Sequence, residues 1–307
     1  MEVKQQSENT SPTMRKLFFF FNCLFFLASC STSNQKKYKK YQGYWQVSPI
    51  TIDGKKDDWS ADYKDYDVKA RLGYSVTNDK NNLYLRIETG DLATQLKIMH
   101  RGLTVWIDKT ANHDEKTAIN FPVPDEYKSN RPQTSESIKV IPNQEKMRWE
   151  LMEKVADEYK YCNDYSLQGF KGCEGQFLLK EHDSCGIEVA MALDGEGNLF
   201  WEAKVPFASF MHKPEISRVD KGKPIGIYIE TEAYKPNVQL PAQPKGNKRP
   251  MIRPSISVGG FSGMGVGVGG RNGYDNTPAP PQTTMLDGLE VSTKTVKIAG
   301  LGWAEQQ

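Results

Sequence analysis

The tightest constraint on this chain is a pattern that recurs along it. Short runs alternate strictly between apolar and polar residues, and each run ends in a cluster of Asn, Asp or Gly. Leu83, Leu85 and Ile87 alternate with Tyr84, Arg86 and Glu88, the period of a strand with one buried and one wet face. Asn78-Asp79-Lys80-Asn81-Asn82 separates this run from another over residues 72–76. Short side chains that bond nearby backbone and tolerate left-handed conformations make such a cluster a tight turn. The two runs therefore predict an antiparallel β-hairpin.

The pattern continues downstream. Residues 103–108 (LTVWID) and 118–121 read as strands, the latter stopped by Pro122 and Pro124. Residues 187–193 and 199–205 flank the turn Asp194-Gly195-Glu196-Gly197-Asn198 and predict a second hairpin. Residues 225–232 and 289–299 alternate again, whereas five prolines exclude 235–254 from any central strand. The stretches 125–142 and 162–186 read as loops, the second studded with Gly and Cys. One window differs: over 145–161, Met147, Leu151, Val155 and Tyr159 recur every four residues, with Trp149, Met152 and Ala156 widening the stripe. That spacing predicts a helix capping an open end of the sheets. Roughly eight to ten short strands without a βαβ rhythm predict an all-β fold. It is an antiparallel β-sandwich with jelly-roll or immunoglobulin-like layers, one inserted helix and long loops.

The first thirty residues carry a different signal. Met14-Arg15-Lys16 is a short basic region, LFFFFNCLFFLA is apolar, and Leu27-Ala28-Ser29-Cys30 resembles a bacterial lipobox. The apolar run is shorter than the ~17–25 residues of a membrane span. The expected organisation is a lipoprotein signal peptide over 1–29, in which 1–13 is a start-site overcall, then a tether over 30–43 and one domain over 44–300. The likeness is to outer-membrane lipoproteins of Bacteroidetes type, anchored in membrane lipid through Cys30. No acid follows the cysteine over 31–37, which favours the periplasmic side over the cell surface.

Charge excludes one class of partner. Forty Lys and Arg against 38 Asp and Glu give a net charge of +2, so no strong field draws the chain to nucleic acid. Beyond Cys30 the mature chain has Cys162, Cys173 and Cys185, an odd number for an oxidising compartment. The expected disulfide is Cys162–Cys173, since both lie in an irregular stretch, with the third cysteine a small buried hydrophobe. No CxxC pair is present, and His100, His113, His182 and His212 are scattered outside any hydrolase or zinc motif.

Ile52-Asp53-Gly54-Lys55-Lys56-Asp57-Asp58-Trp59 resembles the "IDG…DDW" opening of carbohydrate-binding module family nine. Asn78-Asp79 with Asn82-Leu83-Tyr84-Leu85 is similar to that family's second element. Ile187-Glu188-Val189 with Trp201-Glu202-Ala203-Lys204-Val205-Pro206-Phe207 is similar to its late strand. The likeness spans about residues 48–232. It implies a β-sandwich, often with structural calcium, whose best understood members grip sugar-chain ends between two tryptophans. The helical and Cys-rich insert over 142–186 and the glycine-rich stretch 259–270 depart from the ordinary module. No tryptophan pair here matches the clamp residue by residue.

The candidate residues have competing readings. Asp53, Asp57, Asp58 and Asp79 supply hard oxygens of the kind calcium takes, or are solvated turn and cap residues. Calcium is the only cofactor in view. Trp59 reads as an anchor filling the layer between sheets. Trp106, Trp149 and Trp201 can act as stacking platforms for sugar rings, or sit half-buried on sheet edges. Glu188 and Glu202 fall on strands, where paired carboxylates can serve glycoside hydrolysis, but wet-face glutamates are ordinary there. The reading is of a non-catalytic chain. Two functions stand: a lipid-anchored module that binds glycan, or an accessory lipoprotein docking on an outer-membrane protein complex. The glycine-rich stretch, open to β-addition, supports the second.

Overall fold

The computed structural model describes residues 43–59, 65–132, 137–181, 183–211, 213–241 and 284–304. The leader, Cys30, the tether up to residue 42 and the glycine-rich stretch 259–270 lie outside the described residues, as do His182 and His212. Among the described residues no helix is long and apolar enough to cross a membrane.

In chain order the elements are β1 (Asp65–Asp67), β2 (Leu72–Asn78), β3 (Asn82–Thr89), α1 (Leu92–Arg101), β4 (Thr104–Asp108), β5 (Ala118–Asn120) and β6 (Ser137–Lys139). Then come α2 (Gln144–Tyr159), β7 (Asp164–Gln168), β8 (Gly175–Leu178), β9 (Glu188–Leu193) and β10 (Leu199–Pro206). The short α3 (Phe207–Phe210), β11 (Pro224–Thr231), β12 (Asn237–Gln239) and β13 (Thr293–Gly300) complete the series. The first sheet has the order β1-β2-β3-β10-β9 and the second β13-β11-β4-β5-β7-β8. Both are antiparallel throughout, and β6 and β12 form a small parallel pair. The fold is an all-β sandwich.

The alternation decides the core. Leu83, Leu85 and Ile87 of β3 and Trp201, Ala203 and Val205 of β10 share one buried cluster with Val105 and Ile107 of β4 and Ile225, Ile227 and Ile229 of β11. This is the period-two rule with the apolar faces of two sheets turned inward. Trp201, the largest fully buried side chain, donates its indole N–H to the Phe121 carbonyl at 2.8 Å. A buried indole needs such a partner, and this one is supplied across the sandwich from the end of β5. The stacking role read for Trp201 is thereby corrected, because its ring faces the core and meets no solvent.

The helical period over 145–161 is realised as α2, with Asn143 capping the Lys146 amide at 2.8 Å and Met147, Leu151 and Val155 buried. A second helix, α1, did not stand out in the sequence. Its signals are nonetheless there: Asp91 caps the Thr94 amide at 2.9 Å, His100 and Arg101 occupy the last turn, and Gly102 ends it at φ 80°. A buried ionic knot ties α1 to α2. His100 Nδ1 lies 2.7 Å from Asp125, which also holds Lys128 at 2.8 Å and Arg131 at 3.2 Å. Arg131 in turn pairs with Glu158. Burial lowers the proton affinity of His100, against the opposing pull of Asp125.

Two more readings change. The stretch 162–186 is not wholly irregular, since β7 and β8 form a hairpin at the edge of the second sheet. The disulfide joins Cys173 to Cys185, not Cys162 to Cys173. Cys162 follows α2 directly and points into the core, with its sulfur 3.4 Å from that of Met99, and burial pushes its thiol up to about 12. Non-reducing peptide mapping is expected to recover residues 173 and 185 cross-linked. Cys162 should stay unalkylated until denaturant is added; rapid labelling of native Cys162 would contradict this packing. Trp201→Ala should cost about 3–5 kcal/mol in urea unfolding, as a large cavity opens between the sheets.

Candidate functional site

The outward side chains of the first sheet form cross-strand rows. One row runs Tyr66, Gly73, Glu88, Phe200 across β1, β2, β3 and β10. The next runs Ser75, Arg86, Glu202 across β2, β3 and β10. The first row is the floor of a cleft of about 400 Å³, walled by Lys56, Arg71, Thr89, Gly90, Asp91 and Asn198. An aromatic ring stands at each end of the row, and with strands ~4.8 Å apart they are roughly 14 Å from each other. Tyr66 is 52% exposed while Phe200 is buried. Gly73 contributes no side chain between them, which leaves the floor open.

The two carboxylates of the cleft, Glu88 and Asp91, are already committed to guanidinium partners. Arg71 pairs with Asp91 at 2.7 Å and Arg86 pairs with Glu88. The Arg86 guanidinium lies over Trp59 at 5.8 Å and over Phe200 at 5.7 Å, a favourable placement against ring quadrupoles. Gly90 lets the wall close, since a Cβ there would sit 2.7 Å from Asn198 Oδ1. Fixed donors and acceptors between two rings suit recognition of a hydroxylated ring. Each carboxylate has a guanidinium beside it.

The second row explains the "IDG…DDW" motif. Glu202 is fully buried, although its strand position faces away from the sandwich core. The segment 50–59 lies over it. Glu202 Oε2 accepts from the Asp53 and Gly54 amides at 3.2 and 2.9 Å, and Oε1 accepts from Trp59 Nε1 at 2.6 Å. Gly54 has φ +80° and a Cβ there would meet Ala192 at 2.7 Å, so glycine is required twice over. Ile50, Ile52, Trp59 and Tyr84 pack into a small cluster of their own. Trp59 is thus an anchor on the outer side of the first sheet, not in the inter-sheet layer where it was expected.

The predicted site residues are dispersed. Asp53 pairs with Lys55 at 2.8 Å, Asp58 accepts from the Thr51 amide and Asp57 is exposed. Asp79 accepts from the Asn81 and Asn82 amides at 2.7 and 2.6 Å and from the Tyr84 hydroxyl at 2.7 Å. These are turn and cap roles, and no three of the four converge. Among the described residues the one close set of ligand-type atoms is Cys173, Asp183 and Cys185, two of them spent in the disulfide. Asp53, Asp57, Asp58 and Asp79 thus do not gather their oxygens into one ligand set.

Trp106 faces outward on the second sheet, with its indole N–H on Glu230 at 2.6 Å. Trp149 is 65% exposed on α2 and Trp201 is in the core, so the three tryptophans do not converge on one surface. Glu188 pairs with Lys204 at 2.7 Å. Trp45 and Trp303, outside the residues predicted from sequence, have ring centroids 5.4 Å apart. They lie where the two ends of the domain meet on Asn78. At that spacing no sugar fits between them.

Burial pushes the Glu202 carboxyl from 4.5 up to about 7, against the lowering effect of the Gly54, Trp59 and Asp53 donors. The folded chain therefore holds a proton, between those two values, that the unfolded chain has released. Stability from this group is complete below the unfolded value and is lost as pH rises through the folded one. Wild type should lose up to about 3 kcal/mol across that window. Glu202→Gln, which keeps the volume without the charge, should give a flatter curve in urea unfolding at stepped pH, and equal slopes would refute the assignment.

No protein-family model matches the chain, and no curated protein matches it. Among solved structures it is similar to a carbohydrate binding module family 9 from Caldicellulosiruptor kristjanssonii. The structure of that module in complex with glucose shares 11% identity over 68% of this chain and 98% of the module, with a TM-score of 0.30. The structure in complex with cellotriose shares 11% over 64% of this chain and 77% of that one, with a TM-score of 0.28. At this similarity none of the modules' residues is placed on this chain.

Proposed function

We propose that the chain is a non-catalytic, glycan-binding module anchored to the outer membrane by lipid on Cys30, and that the cleft on the first sheet takes the sugar. The observation that carries the reading is the row Tyr66, Gly73, Glu88, Phe200, with aromatic rings at its ends and a carboxylate between. The apolar face of a pyranose stacks on an exposed ring such as Tyr66, while Glu88, Asp91 and Asn198 accept from or donate to its hydroxyls. The ion pairs Arg71–Asp91 and Arg86–Glu88 hold these groups in place before any ligand arrives, which lowers the ordering cost of binding.

The lipid anchor rests on the lipobox alone, and the periplasmic side is favoured by the absence of acid after Cys30.

Affinity electrophoresis and calorimetry of the purified chain against a panel of neutral and acidic oligosaccharides, with cellotriose and glucose included, test the proposal. Tyr66→Ala should weaken the best ligand by about ten-fold or more, as losing a stacking anchor does, and Trp149→Ala should change nothing. Retention on no glycan, with capture of one outer-membrane protein instead, would overturn it. Metabolic labelling with a radioactive fatty acid should mark the wild-type chain and not Cys30→Ser.

A further inference from the structure

Glu202 does not line the cleft, yet the segment it holds does. Lys56 forms one wall of the cleft, and its ammonium lies 5.7 Å from the Phe200 ring centroid. In sequence Lys56 falls between the two points where Glu202 grips the segment, the Gly54 amide and the Trp59 indole. The Trp59 amide donates back to the Lys56 carbonyl at 3.1 Å, so the backbone at Lys56 is closed into a turn between those grips. We infer that Glu202 is a positioning residue for the ligand cleft: by clasping residues 53–59 from beneath, it sets where Lys56 stands against a bound sugar. The inference rests on the glycan reading and adds to it a residue that no ligand would touch.

Two arrangements could hold the segment, and they differ in what they predict. Either the apolar cluster of Ile50, Ile52, Trp59 and Tyr84 holds it alone, or the carboxylate is required as well. Burial decides for the carboxylate. Glu202 is fully enclosed, and without it two backbone amides and an indole N–H would be left under the segment with no acceptor, which buried donors do not tolerate. The apolar cluster lies to one side, on Tyr84 of the neighbouring row, and gives no direct grip on residues 53–56. Gly54 supplies an independent handle, because its fit against Ala192 depends on the same close approach of segment to sheet.

The test is a double-mutant cycle on the purified full chain, read by calorimetry with cellotriose or, where another oligosaccharide of the panel binds tighter, with that one. Glu202→Ala and Lys56→Ala should each lower affinity, Glu202→Ala by about ten-fold. The double variant should bind no more weakly than Glu202→Ala, because Lys56 has already lost its place. Glu202→Gln, which keeps one acceptor, should recover part of the loss. Gly54→Ala breaks the same clasp without touching Glu202 and should show the same affinity loss, which keeps the test available if Glu202→Ala does not fold. Unchanged affinity in a folded Glu202→Ala or Gly54→Ala chain, or losses that simply add in the double variant, would overturn this inference and leave the glycan reading intact. A wild-type chain that binds nothing in the panel overturns both.

Discussion

Strand β10 is buried on both faces, and the rest of the structure follows from that. Its inward residues Trp201, Ala203 and Val205 join the core between the sheets. Its outward residues Phe200 and Glu202 are covered by other parts of the chain. An antiparallel sheet ordinarily keeps one face wet, so a strand enclosed twice marks a third layer. That layer is the segment 50–59, and its attachment is polar: one carboxylate receives two amides and an indole. A carboxylate with no water around it is costly unless donors surround it, and the raised proton affinity of Glu202 is the residue of that cost. The same geometry that makes the group expensive makes the attachment directional, because the donors must arrive from fixed positions.

The cleft is a by-product of where the third layer stops. Over the Glu202 row the segment covers the sheet, and over the next row it reaches only as far as Phe200, through Lys56, and leaves Tyr66 exposed. That row carries rings at its two ends and glycine within it. Tyr66 belongs to a strand of only three residues, at the edge of the sheet, and Asp65 and Asp67 on either side reach Lys297 and Thr295 of β13 in the other sheet. The side chains flanking Tyr66 are therefore tied down while its ring stands out. Rigidity of this kind costs little to maintain on ligand binding, since the ordering has been completed in folding.

How much of this was legible in the sequence depends on range. The β2–β3 hairpin, the β9–β10 hairpin, β4, β11 and α2 are local, and their alternation or helical stripe shows them. Pairing of β3 with β10 joins residues more than a hundred positions apart, and no local pattern encodes it. That pairing creates both the Glu202–Arg86 row and the cleft floor, so the site was invisible even though Gly73, Glu88 and Phe200 lay in correctly read runs, and β1 with Tyr66 was not read as a strand at all. Glu202 was seen as a wet-face glutamate because alternation reports which way a side chain points, not what covers it. Trp201 failed in the converse way: its neighbours Ala203 and Val205 point inward on the same face, and the period assigns it to the core more firmly than its aromatic character assigns it to a ligand. The missed α1 had its capping residues in plain order, Asp91 before and Gly102 after, but its buried face includes Gln95, Lys97 and His100. Polar side chains in the interior blur the stripe on which the periodic reading depends.

The cysteines make the same point about the insert. Spacing alone allowed three pairings, and the irregular look of 162–186 suggested the nearest one. What decides is the helix: α2 ends at Tyr159 and delivers Cys162 into the core beside Met99, while Cys173 lies beyond the β7 strand, near the turn that carries Cys185. A disulfide over a separation of 12 residues closes a short loop, for which the gain in unfolded-state restriction is modest. The insert is held by the knot of Asp125, Lys128, Arg131 and Glu158 around His100 as well as by its covalent link. Breaking any one of those buried pairs leaves a charge without its partner inside the protein. The insert is therefore fastened by the same device as the N-terminal segment, a buried ionisable group whose partners come from distant parts of the chain, and in both places the sequence displays the group but not what meets it.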